Sequence, residues 1–256
     1  MSSIIMRFLV NNKYYIIRTG DFAVNANKKI VYTIYALILC IDDYINNNSN
    51  DCFKIMMGST LIWTMIEYLL YISNTRIIKP MFINYRKNKV KLNKYLALFL
   101  QGLQEGGVVS TFGLYFGDRF FDYRYNIIYN LFMINMVLNM NNKQKIINNL
   151  SKRQINTLSS IIPMGIVTTF NIYCIYRYPE HIVRSLKMTL SMFYMSTIWT
   201  IISYIKGFRK VISLEYKNNN YHIGSSIERD AFFVLAYDII FEICSAYLTF
   251  YNLFII

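Results

Sequence analysis

Four carboxylates stand where neighbouring residues are apolar: Glu67, Glu105, Asp238 and Glu242 each lie inside a long hydrophobic run. A charged side chain at the centre of a bilayer costs about 2.5–3.5 kcal/mol on insertion scales. Such a group must be protonated, paired, wetted in a cavity or neutralised by a bound cation. No Lys, Arg or His lies in the middle of these runs, so the sequence offers a proton or a cation as the natural counter-charge. The competing use is structural. Protonated acids can fasten helices together, each interhelical hydrogen bond contributing about 0.6–2 kcal/mol.

Helical spacing predicts where these acids face. At about 100° per residue, Thr60, Thr64, Glu67, Tyr71 and Asn74 fall on one stripe. Asp238, Glu242, Ser245 and Thr249 form a second stripe, and Thr189, Ser196, Thr200 and Ser203 a third. Three polar stripes on three helices predict a shared polar interior. Gly102, Gly106, Gly113 and Gly117 are spaced so that they project within a narrow arc. This small-xxx-small pattern lets helix backbones approach closely. Glu105, with Gln101 beside it, lies about a quarter turn from that arc, so packing along the glycines would turn its carboxylate into the bundle. The other use of such a stripe is association of the chain with a second copy of itself.

The elements that must position these residues are transmembrane helices. The chain has 256 residues, 55% of them hydrophobic and 16% charged, against about 25% charged in an average soluble domain. Disorder is excluded by the same numbers. Seven apolar segments can be drawn, at approximately 28–45, 53–73, 95–117, 121–140, 157–176, 183–205 and 230–254. A helix needs about 20 residues to span the hydrocarbon core. The first segment is the weakest, ending at Asp42-Asp43. No cleavable signal peptide is expected, because Arg7 interrupts the short run at 1–10.

The Lys and Arg residues test this division independently. With seven crossings, 21 of the 27 fall on one side and 6 on the other. The positive-inside rule then predicts a cytoplasmic amino terminus and a carboxyl terminus outside. Dropping the first segment would weaken the bias to 16 against 11. The net charge of +13 therefore belongs to loops facing anionic lipid headgroups, above all the basic loop at 74–94. Each base there contributes about 1 kcal/mol near an anionic surface. A nucleic-acid binder would instead gather its bases on one soluble face. The abundance of Ile, Asn, Lys, Tyr and Phe fits an AT-rich genome and says nothing of function.

Other chemistry is sparse. His181 and His222 lie in loops on opposite faces and cannot together form a metal site, so no metal or other cofactor is expected. Asp118 and Asp122 resemble a cation-recruiting pair at a lipid interface, but Arg119 and Arg124 stand ready to neutralise them. Cys40, Cys52, Cys174 and Cys244 have no CxxC spacing and read as buried thiols. Segment seven has no lysine to carry a retinal Schiff base.

The sequence thus predicts an all-α, single-domain, multi-pass bundle. Three functions remain open: passage of protons, cations or a small cationic solute; a non-catalytic membrane scaffold; and a lipid-modifying enzyme. For the first, the charge-bearing and ligating residues would be Glu67, Gln101, Glu105, Asp238 and Glu242.

Overall fold

The computed structural model of the chain describes residues 12–18, 25–73, 80–85, 88–138, 151–155, 158–217, 220–225 and 228–256. Every one of the seven apolar segments is helical. Helix α1 spans Ala26–Asn47 and α2 spans Asp51–Ile72. They are joined tightly, with Asn48 in the left-handed conformation (φ 50), a role that Asn tolerates better than other side-chain-bearing residues. Helix α3 (Lys94–Gly102) continues through a π-helical segment, Leu103–Val108, into α4 (Val109–Asp118). Helices α5 (Tyr123–Leu138), α6 (Leu158–Arg177) and α7 (Ile182–Ile205) follow, the last entered through a 3-10 turn at Pro179–His181. Helix α8 (Glu228–Tyr237) passes through a second π segment, Asp238–Cys244, into α9 (Ser245–Phe254).

Three helices, Asp51–Ile72, Pro179–Ile205 and Asp230–Phe254, are long and apolar enough to cross a membrane. Yet no more than 41% of the apolar window of any of them is buried inside the protein. Their outward faces carry Leu61, Met65, Leu69, Leu186, Leu190, Ile240 and Phe241 in the open. A folded chain leaves contiguous apolar surface of this kind uncovered where lipid or a partner covers it. The interior is the α4 helix. From Ser110 to Gly117 every residue is buried, and a helix apolar all round belongs at the centre of a bundle. Val108, the last residue of the π segment, is also fully buried.

The chain is mostly helical rather than all-α. Strands β1 (Asn12–Arg18), β4 (Ser151–Gln154), β5 (Arg209–Lys217) and β6 (Asn220–Ser225) form an antiparallel sheet in the order β4-β1-β5-β6. In β1, Tyr14 and Ile16 share a face, and their register partners are Ser213 and Val211 of β5. That face packs on Ala231, Val234 and Leu235 of α8. Strands β2 (Phe82–Tyr85) and β3 (Asn88–Lys91) make a separate hairpin. All these strands come from the basic segments that the charge count assigned to one side. The opposite helix ends meet elsewhere: Arg184, at the start of α7, reaches Asp51 of α2 and Asp118 of α4.

Candidate functional site

The two π segments hold three of the four buried-run acids. Leu103–Val108 contains Glu105; Asp238–Cys244 contains Asp238 and Glu242. A π segment carries one extra residue per turn and upsets the local hydrogen-bond ladder, and such segments are frequent at functional sites. In the first segment, nearby side chains take up the backbone carbonyls. Ser110 Oγ donates to Gly106 O, Thr111 Oγ1 donates to Gly107 O at 2.9 Å, and the Tyr247 hydroxyl donates to the carbonyl of Glu105 itself.

Glu105 is half-buried at a meeting of three helices. Trp63 Nε1 of α2 donates to its Oε2 at 3.3 Å. The Trp63 ring stacks on Tyr247 of α9, centroids 5.8 Å apart and only 9° from parallel. Phe250 closes the cluster edge-on to both rings. Beside Glu105, Gln104 is 6% exposed and its Oε1 has no hydrogen-bond partner. Buried polar atoms are nearly always satisfied, so a bare one marks a place where a donor would be welcome.

The glycine arc packs against two different neighbours. A Cβ on Gly102 would come within 2.7 Å of the Thr64 backbone, and one on Gly106 within 2.9 Å of the Ser59 carbonyl carbon, both on α2. A Cβ on Gly113 would meet Met192 Cγ at 2.7 Å, and one on Gly117 the Met188 backbone at 2.8 Å, both on α7. The stripe is used inside the chain, to seat α3–α4 between α2 and α7.

Asp238 departs from the sequence reading. No base lies mid-span, yet Arg209 at the start of β5 reaches in and pairs with Asp238 at 3.3 Å. Arg209 also donates to Thr200 Oγ1 at 2.7 Å. Both partners are almost wholly buried, at 4% and 2% exposure of their side chains. The expectation that these acids lack a protein counter-charge is therefore corrected for Asp238. A base from a connecting segment can enter the bundle end because its long side chain carries the charge inward.

Glu67 is fully buried on α2, as is Lys29 near the start of α1. Lys29 Nζ donates to Gln101 Oε1 at 2.8 Å. Sequence reasoning took Lys29 as a flanking base, whereas the close packing of α1 on α3 draws it inside. Glu242 lies in the second π segment, and its side chain falls outside the described residues.

The three polar stripes do not converge on one interior. Thr200 and Ser203 belong with Arg209 and Asp238. Thr60 and Thr64 of α2 face α3, where Gly107 and Gly102 approach them. Ser245 and Thr249 instead fasten α9 to α6 through Asn171, a residue the sequence reading passed over. Asn171 Nδ2 donates to Ser245 O at 2.9 Å, and its Oδ1 accepts from Thr249 at 3.1 Å and from Asn252 at 2.9 Å. A lone Asn amid the apolar run of segment five was the signal available.

At the opposite helix ends a network of ion pairs closes the bundle. Arg119 Nη2 donates to Asp43 at 2.8 Å, and its guanidinium lies 3.7 Å above the Tyr115 ring. Burial opposes the charge on Arg119, but Asp43 and Tyr115 hold its pKa above the usual arginine value. Arg184 bridges Asp51 at 2.6 Å and Asp118 at 2.8 Å. A cavity of about 230 Å³ lies among Asp43, Asn47, Ser49, Asp118, Arg119 and Arg184. Asp118 and Asp122 pair with Arg184 and Arg124 respectively. Among the described residues no group of three or more His, Cys, Asp or Glu could hold a metal. His181 contacts the Tyr251 hydroxyl at 3.1 Å; the side chain of His222 is outside the described residues. The four cysteines are free and buried.

Comparison with known proteins gave no match: no family model, curated sequence or solved structure aligns significantly with the chain.

Proposed function

We propose that the chain is a seven-crossing integral membrane protein that passes protons or a small cation through its helix bundle, with Glu105 as the exchanging carboxylate. The observation that carries this reading is the setting of Glu105. It sits in a π segment near the middle of a continuous helix, half-buried, with its carboxylate held by the neutral donor Trp63 and an unsatisfied Gln104 beside it. Intramembrane ionisable groups commonly serve ion and proton pathways. Gln101, about one turn before Glu105, would form the approach from the end that carries the basic segments, with Glu67, Asp238 and Glu242 as further carboxylates of the bundle.

Seven crossings are supported by the alternation of helix ends. The segment before α1 and those following α5 and α7 meet in one sheet, while those following α1 and α4 meet the start of α7 through Arg184. This alternation fits helices that each run from one end of the bundle to the other, and the basic end would face the cytoplasm.

A scaffold is the second reading, favoured by the Asp238–Arg209 pair and the Asn171 network, which hold helices together. Reconstitution in liposomes separates the two. Proton or cation gradients across vesicles bearing the parent protein should dissipate, and intact gradients across a full panel of ions would leave the scaffold. Cysteines introduced at Asn48 and Lys210 should label from opposite faces of the membrane; labelling from the same face would overturn the topology.

A further inference from the structure

The β2–β3 hairpin is amphipathic across its two faces, and the register shows how. Phe82 pairs with Lys91 and Asn84 with Lys89; Ile83 pairs with Val90 and Tyr85 with Asn88. Paired residues share a face and successive residues alternate. One face therefore carries Lys89 and Lys91, the other Ile83, Tyr85 and Val90.

The base of the hairpin is fixed. Ile83 packs with Met81, Ala26 and Leu100, and Asn27 of α1 exchanges two hydrogen bonds with the Asn84 backbone, at 3.0 and 2.8 Å. The outer part is exposed: Tyr85 to 64% and Val90 to 55%. The chain leads from β3 directly into α3, where Tyr95 and Leu96 are exposed, and Lys94 over the Tyr71 ring brings the end of α2, with exposed Leu69 and Ile72, to that start. The lysines are equally distinctive. Lys89 Nζ lies 4.4 Å over the Phe82 ring and Lys94 Nζ lies 3.6 Å over Tyr71. No carboxylate among the described residues neutralises Lys89, Lys91 or Lys94.

We infer that this hairpin is a lipid-surface clamp: Tyr85 and Val90 enter the boundary between headgroups and acyl chains, while Lys89, Lys91 and Lys94 bind the phosphates of anionic lipids. The inference rests on the reading that the helices span a membrane. Continuity with the exposed apolar helix ends supplies the depth, and unneutralised cations supply the charge preference. Aromatic side chains with a polar tip, such as Tyr85, Tyr71 and Tyr95, suit that boundary. A basic patch near an anionic leaflet gains favourable energy that fades within a Debye length. The fixed base means the hairpin meets the surface pre-shaped.

The test uses the full chain in bilayers with a spin label on a cysteine at Val90, and separately at Leu61 on the exposed face of α2. Accessibility to oxygen marks acyl contact, and accessibility to a water-soluble nickel chelate marks water. In phosphatidylglycerol-rich bilayers the Val90 label should favour oxygen. It should shift towards the chelate in pure phosphatidylcholine, in about 1 M salt, where the Debye length falls to about 3 Å, and in the K89Q/K91Q/K94Q variant. A Val90 label that is aqueous while the Leu61 label is in lipid overturns the clamp alone. Both labels aqueous overturns the membrane reading beneath it. A Val90 label shielded from both reagents means that protein covers the face, and one in lipid regardless of headgroup, salt or the lysines means that anionic recognition is wrong; either result overturns the inference.

Discussion

The two π segments differ in how deeply they bury their acids. Asp238 is 2% exposed and meets the guanidinium of Arg209; Glu105 is half-buried and meets the neutral indole of Trp63. The same backbone irregularity therefore serves two ends. A buried ion pair holds its charges permanently, because removing one strands the other. A half-buried carboxylate keeps part of its surface open to its surroundings. The contrast assigns Asp238 to holding the sheet end of α7 against α8, and it is the reason for proposing Glu105 as the exchanging group.

The largest expected effect breaks the first half of that comparison. Asp238→Ala leaves Arg209 buried without its carboxylate and should destabilise the protein by about 3–5 kcal/mol. Denaturation in detergent would measure it, and a second change, Arg209→Met, should recover most of the loss. A cost below about 1 kcal/mol, the range of exposed pairs, would show that water reaches the pair. Gly106→Leu comes next. Its side chain would drive into the Ser59 backbone and the Trp63 Cβ, and overpacking of this kind costs about 1–3 kcal/mol. An unchanged melting temperature would remove the account of how Glu105 is oriented. Tyr247→Phe should have the smallest effect on stability, about 0.6–1.7 kcal/mol for one interhelical hydrogen bond. It should nevertheless alter the pH dependence of flux if the carbonyl of Glu105 needs that donor to keep its π geometry.

Much of the helix layout was legible, because length and hydropathy are local properties. All seven segments are helices. What escaped notice depends on distant partners. Hydrogen bonding in π register reflects how α3–α4 fits between α2 and α7, which no single segment encodes. Arg209 reads as a loop base after segment six, and only the pairing of β5 with β1 brings its side chain back into the bundle. The strands themselves are short. In YYIIR the apolar and polar residues do not alternate, and in VISLEY the alternation runs for only five residues, too short to stand out between long apolar segments. The polar stripes meet different neighbours: Asp238 faces Arg209 and Thr200, whereas Ser245 and Thr249 face Asn171, since a stripe fixes a face and not the neighbour it meets, and the π segment shifts the face itself. Asn74 and the Glu242 side chain lie outside the described residues. Asn171 shows the remedy: an isolated amide in an apolar run implies a partner helix.

Flux through liposomes bearing Glu105→Gln, alongside the parent, tests the central claim most directly. The amide keeps the size of the side chain and its hydrogen bonding but cannot ionise, so the fold should survive with a melting temperature close to the parent's. The account predicts that proton or cation flux present in the parent is abolished in this variant. Undiminished flux through a folded Glu105→Gln protein would contradict it.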